Sequence, residues 1–198
     1  MVMNRERQGP SLVRNDLFDA NDGFDLGRPR VVFAAWYCVK CVFFLCAFPW
    51  PSRLKSSLLR WFGAEVGRRV RWQPRVNIHI PWNLKVGDYT WVGEEACIIN
   101  FAPVAIGAHC CLSQRCCLCS GNHDYRSTNM RYRHAPIVLE DGVWIGAAVF
   151  VGPGVTIGVD AVITAMSLVS HSVAGGMIYS GQPCQPVRRR WPEEALPP

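Results

Sequence analysis

Residues 139–173 read LEDGVWIGAAVFVGPGVTIGVDAVITAMSLVSHSV, and an aliphatic residue recurs through them every six positions: Leu139, Ile145, Val151, Ile157, Ile163 and Val169. Four places into each hexad stands a small or slim side chain: Val143, Val149, Val155, Ala161, Ser167 and Val173. A period of six matches neither the 3.6 of an α-helix nor the 2 of a strand, and it persists over too many repeats for chance. The spacing predicts a solenoid of short parallel strands. One coil cannot bury its own hydrophobic row, but stacked coils fill a narrow triangular interior with alternating aliphatic and small residues.

The same signal runs upstream through Val66, Trp72 and Ile78, then Val86, Val92 and Ile98, then Ile106, Leu112 and Leu118. Val66, Val86 and Ile106 are twenty apart, so each coil of three hexads carries two extra residues after its third hexad. That corner bulges on every coil. The next coil starts at Leu139, so there the corner extrudes residues 121–138, GNHDYRSTNMRYRHAPIV, a polar segment in an otherwise regular chain. Loops held on a rigid scaffold are where binding and catalysis concentrate, which makes His123, Asp124 and Tyr125 candidates. Asn100 follows Ile98 by two residues, as Ser120 follows Leu118. Both then share one corner on successive coils, and the root of the loop lies about 4.8 Å, one strand spacing, from Asn100. Glycines at the second hexad position, among them Gly67, Gly87 and Gly146, suit tight backbone at the corners.

Outside the repeat, residues 1–29 are irregular and polar, an arm that either wraps a neighbour or is mobile. Residues 30–62 read as one or two helices broken near Pro49 and Pro51. Val31 to Trp50 is long enough to cross a bilayer on length alone, although Lys40 interrupts it. The segment is either a membrane anchor or a cap over the open end of the solenoid. Arg53, Lys55 and Arg60 leave peripheral attachment to an anionic inner leaflet open. The β-helix domain is expected over 63–183, with Gly175 to Pro183 turning the chain, and 184–198 as a basic tail. The polar first thirty residues show no secretory signal, so a cytoplasmic location is expected.

With 198 residues and 49% hydrophobic content, the chain suits one domain with a continuous core. A net charge of +6 fits either a solvated basic surface or a specific anion site. The arginines are scattered and no nucleic-acid-binding signature is present, so nucleic acid is not an expected partner. A phosphorylated cofactor or sugar nucleotide suits the charge. Of the ten cysteines, Cys97, Cys110 and Cys116 are read at small core positions, and no CxxC pair recurs at finger spacing. They are expected as reduced, structural thiols.

The runs KVGDYTWVGEEACIINFAPVAIGAHCCLSQ, CSGNHDY, VWIGAAVFVGPGVTIG and YSGQPCQPVRRR resemble the hexapeptide-repeat acyltransferases, and within them the colanic acid biosynthesis acetyltransferase group. The resemblance covers the chain from about Arg30. It implies a left-handed parallel β-helix of about five three-hexad coils, an all-β solenoid with an N-terminal apolar helical segment and a short C-terminal tail. It also implies transfer of an acetyl group from acetyl-CoA to a sugar hydroxyl, in a homotrimer with active sites between subunits. The acceptor implied is a polysaccharide precursor, lipid-linked or nucleotide-linked. His123 matches the family's catalytic histidine and would act as general base, since an imidazole titrates close to neutral pH. Asn100 falls at a polar sugar-site position, where it would orient the histidine or bond the acceptor, and Asp124 and Tyr125 would shape the acceptor pocket. Trp144, Ala147, Ala165, Ser170 and Arg188 match positions lining the cofactor channel, where an arginine pairs with a CoA phosphate and small residues admit the pantetheine arm. The family usually carries glycine where Met166 stands and a basic residue where Gln185 stands.

Two other classes compete. The same solenoid carries zinc hydration enzymes, which use two histidines about five apart plus a third. His79, His109, His123, His134 and His171 provide no such pair, so no metal is expected. A noncatalytic assembly or interaction module is the other class. It predicts no use for a polar histidine loop at a bulged corner.

Overall fold

In the computed structural model, residues 12–20 and 22–191 are described; the first part of the expected arm and the end of the expected tail lie outside them. Each hexad makes a strand of two or three residues and then turns. The first coil contains β1 (Glu65–Val66), β2 (Arg71–Trp72) and β3 (Asn77–Ile78), and the second β4 (Leu84–Val86), β5 (Trp91–Val92) and β6 (Cys97–Ile99). The third holds β7 (Val104–Ile106), β8 (Cys111–Leu112) and β9 (Cys117–Cys119), and the fourth β10 (Ile137–Leu139), β11 (Trp144–Ile145) and β12 (Phe150–Val151). The fifth contains β13 (Thr156–Ile157), β14 (Val162–Ile163) and β15 (Leu168–Val169). A sixth begins where Val173 bridges Ile157.

Like strands of successive coils pair in parallel: β1-β4-β7-β10-β13 form one sheet, β3-β6-β9-β12-β15 another, and β2, β5, β8, β11 and β14 lie in a third. Register follows the hydrophobic row, with Val86 opposite Ile106, Ile106 opposite Leu139 and Leu139 opposite Ile157. The row and its slim partners line one continuous core. The fold is the expected parallel β-helix.

The second-position glycines have a different cause from the one their turns suggested. The left-handed φ of each tight turn falls two residues later, on Arg69, Tyr89, His109, Ala148, Asp160 and Met166 among others. What the glycines provide is room between coils. A Cβ on Gly87 would stand 2.4 Å from the Ala108 nitrogen, and one on Gly146 2.5 Å from that of Ala165. Met166, where the family carries glycine, has φ 60° and is solvent-facing.

Two helices, α1 (Arg30–Phe43) and α2 (Ser52–Trp61), close the N-terminal end, with the break at Pro49 and Pro51. Trp36, Phe44 and Leu59 have no solvent exposure and join the core with Trp72 and Ile78. The Trp36 indole N–H is 3.2 Å from the carbonyls of Ile78 and His79. Lys55, one of the basic residues that left peripheral attachment open, is fully buried and donates to the Gln73 carbonyl at 3.0 Å, and burial lowers its pKa. Arg60 likewise bonds the Val66 and Gly67 carbonyls. Among the described residues no helix is long and apolar enough to cross a membrane.

At the other end, β16 (Met177–Gly181) pairs with β14, and β17 (Cys184–Arg189) returns antiparallel to it. Where a turn and a basic tail were expected, the chain forms a hairpin that buries Tyr179 and Cys184. Cys110 and Cys116 occupy the interior as expected, but Cys97 does not. Ala96 takes the small core position and Cys97 faces outward beside Cys117. All ten cysteines are free.

Candidate functional site

The bulged corner after β9 releases the loop, and the loop folds back on itself. His123 bridges Tyr132, the Asp124 N–H donates to the Arg131 carbonyl at 2.8 Å, and the Arg133 N–H donates to that of Asn122 at 2.8 Å. His123 thus sits on a short hairpin rather than a free strand of loop. Its Nδ1 lies 2.5 Å from the Met130 carbonyl oxygen. A carbonyl only accepts, so Nδ1 carries the proton and a neutral ring has its lone pair on Nε2. This is the tautomer a base needs.

The arm completes the surroundings of the ring. Phe18 packs on His123 and Tyr132 with centroids 5.5 and 5.2 Å apart, and Phe24 packs on Phe101, Tyr132 and His134. The Arg14 N–H donates to the Thr128 carbonyl, and the Trp82 indole N–H to that of Leu26, each at 2.7 Å. The described part of the arm therefore lies on this chain's own loop. The sequence signal for this was two phenylalanines, Phe18 and Phe24, in a stretch without periodicity. A cleft of 520 Å³ is lined by Asp22 and Gly23 of the arm and by Asp124, Arg131, Tyr132 and Arg133 of the loop.

Asn100 and Ser120 do share a corner, since Ile98 pairs with Leu118. Asn100 is fully buried, however, and its amide is spent on the main chain of Ile80, whose N–H it accepts at 2.9 Å and whose carbonyl it bonds. Among the described residues no hydrogen bond joins it to His123. The Asp124 carboxylate accepts from the Arg126 N–H and pairs with the Arg131 guanidinium, and these contacts hold it below the usual carboxylate range. Asp124 and Arg131 line one cleft with Tyr132, the bridge partner of His123. Tyr125 is 70% exposed, with the Arg126 guanidinium 5.6 Å from its ring.

The expected cofactor residues fall in three places. Ala147 and Ala165 stack on one corner, where the Met166 N–H donates to the Ala147 carbonyl at 2.8 Å. The exposed indole of Trp144 stands beside them and donates to the Ser113 hydroxyl at 3.1 Å. The same corner continues down the solenoid as a groove of 460 Å³ lined by Trp91, Cys111, Ser113 and Gln114 among others, which the sequence reading passed over. Ser170 lies across the β3-β6-β9-β12-β15 sheet from this corner, after β15, and Arg188 is on the terminal hairpin. Among the described residues no three His, Cys, Asp or Glu side chains are grouped to hold a metal ion.

No family model matches the chain. A protein of Escherichia coli K12 named "Putative colanic acid biosynthesis acetyltransferase WcaF" is 37% identical over 173 residues, 87% of this chain and 94% of that one. The galactoside O-acetyltransferase of the same strain is 29% identical over 144 residues, 70% of each chain. Among solved structures, the hexapeptide-repeat acetyltransferase VCA0836 of Vibrio cholerae matches with a TM-score of 0.73 at 25% identity, over 81% of this chain and 91% of that one. A second structure of that protein, complexed with acetyl-CoA, gives 0.75 at 24% identity, over 90% and 95%.

Proposed function

The chain belongs to the hexapeptide-repeat acetyltransferases, and on that footing we propose that it moves an acetyl group from acetyl-CoA to a hydroxyl of a sugar or polysaccharide precursor, with His123 as general base. The observation that carries the proposal is the Nδ1 contact with Met130, which leaves Nε2 free to accept a proton. As the acceptor oxygen bonds to the thioester carbonyl carbon, His123 takes the hydroxyl proton; as the carbon–sulfur bond breaks, the imidazolium returns a proton to the leaving sulfur. The relatives' names support a sugar acceptor, and the acetyl-CoA complex of the Vibrio protein supports the donor.

The chain's residues fit that donor in part. Ala147 and Ala165 leave the corner bare for a thin pantetheine arm, Trp144 walls it, and Arg188 is exposed for a phosphate. Ser170 stands at the next corner around the coil, whereas Arg188 faces Ile178 in the sheet that also holds Trp144. A homotrimer with sites between subunits would bring a neighbour's surface to the groove. Asn100 would act by holding the corner at the loop's root, and Asp124 and Tyr125 by shaping the acceptor side.

The chemistry is tested by the product. Incubated with acetyl-CoA and a panel of sugars and amino sugars, the protein is expected to give an acetyl product that hydroxylamine cleaves, as it cleaves esters. A hydroxylamine-stable amide would move the chain to N-acetylation.

Peripheral membrane contact is also part of this reading, through an apolar rather than a basic face. Val42, Phe48 and Trp61 of the cap are 54%, 59% and 79% exposed, while Lys55 and Arg60 bond inward. In vesicle flotation the chain is expected to rise with the lipid, and the double variant Phe48→Ser, Trp61→Ser to stay below. Equal flotation of the two, or none for the parent, would sink the idea.

A further inference from the structure

We propose that His134 is a positioning residue for His123, holding the loop only while its own ring is neutral. This rests on the reading of His123 as the base. The Asn122 N–H donates to Nδ1 of His134 at 3.2 Å, and the Asn122 side-chain oxygen accepts the His123 N–H at 2.8 Å. Asn122 is thereby fixed from both sides at the residue next to the base. To accept, Nδ1 of His134 must be unprotonated, so the neutral ring carries its proton on Nε2, which is buried without a partner among the described residues. A second proton would set N–H against N–H and release Asn122.

The rest of the ring's packing is aromatic. Phe101 stacks on it at 5.0 Å and 12°, Tyr132 lies at 4.6 Å, and Phe24 of the arm meets it edge-on at 5.6 Å. Tyr132 is the titratable group among these contacts, and His123 acts on the ring through its charge. Burial, and after it the charge of His123, lower the His134 pKa below the ordinary imidazole value of 6.5. His134 is then neutral at neutral pH and gains its second proton only as the pH falls beneath that range.

The experiment is the pH dependence of kcat in the full chain for the parent, His134→Asn and His134→Phe. Asparagine keeps an acceptor where Nδ1 stands and does not titrate, whereas phenylalanine keeps the stack without the acceptor. The parent is expected to lose activity toward acid with a limb that steepens to two protons. His134→Asn keeps kcat at neutral pH with a one-proton limb, and His134→Phe loses about 10- to 100-fold in kcat with KM little changed. Parent kcat in His134→Phe, or the same one-proton limb in the parent and His134→Asn, overturns the proposal. Nitrogen-15 NMR separates this failure from failure of the base itself. A proton on Nδ1 of His134 at neutral pH refutes the positioning role whatever His123→Ala does. Full turnover in His123→Ala refutes the base whatever the tautomer of His134.

Discussion

His123→Ala is expected to lower kcat for acetyl transfer by about 10² to 10⁴, the usual contribution of a general base, while the thermal transition stays near that of the parent. The ring is half-buried at the surface of the loop and contributes nothing to the solenoid core. Its Nδ1 bond to Met130 is one of several ties across the hairpin, and the main-chain bonds Asp124 to Arg131 and Arg133 to Asn122 do not depend on the side chain. The loss should therefore fall on kcat rather than on the fold. Acetyl-CoA affinity should be unchanged, because the corner of Trp144, Ala147 and Ala165 belongs to other hexads. Steady-state kinetics beside a melting curve checks both halves. An inactive variant that also melts early would indicate a structural role.

Trp36→Ala is expected to cost about 3–5 kcal/mol, the range for removing a large aromatic side chain from a core. That is a large fraction of the roughly 5–15 kcal/mol that holds a domain together. Trp36 is wholly buried and packs on Phe44 and Phe62 at 5.2 and 5.3 Å, and its N–H is placed to donate to the Ile78 carbonyl at the end of β3. Stability in a solenoid is a sum over neighbouring repeats, so the loss should be local. Hydrogen exchange is expected to accelerate through β1, β2 and β3, while β11 and β14 stay protected. Uniform acceleration along the chain would show that the cap supports all coils together.

Most of the architecture was readable because one six-residue offset places a side chain inside or outside for every coil. The same offset named the bulged corner and the loop it releases. What escaped depended on atoms that no periodicity records. Cys97 lies one residue past the interior position that Ala96 fills, and a one-residue difference in a strand reverses the face. Asn100 sits at the predicted corner, yet its role turns on a main-chain partner, Ile80, twenty residues away. Phe18 and Phe24 reach the loop about a hundred residues downstream, with no repeat to announce them. The glycines were seen, but their reason is the approach of the next coil rather than the torsion of the turn.

The central claim, acetyl transfer by this chain to a sugar hydroxyl, is tested most directly by the release of free thiol from acetyl-CoA with and without a panel of sugars, sugar nucleotides and lipid-linked sugars. The account predicts release that depends on an acceptor and reaches completion with at least one class of sugar. Acetyl-CoA that neither binds nor turns over with any acceptor would contradict it and favour a noncatalytic interaction module.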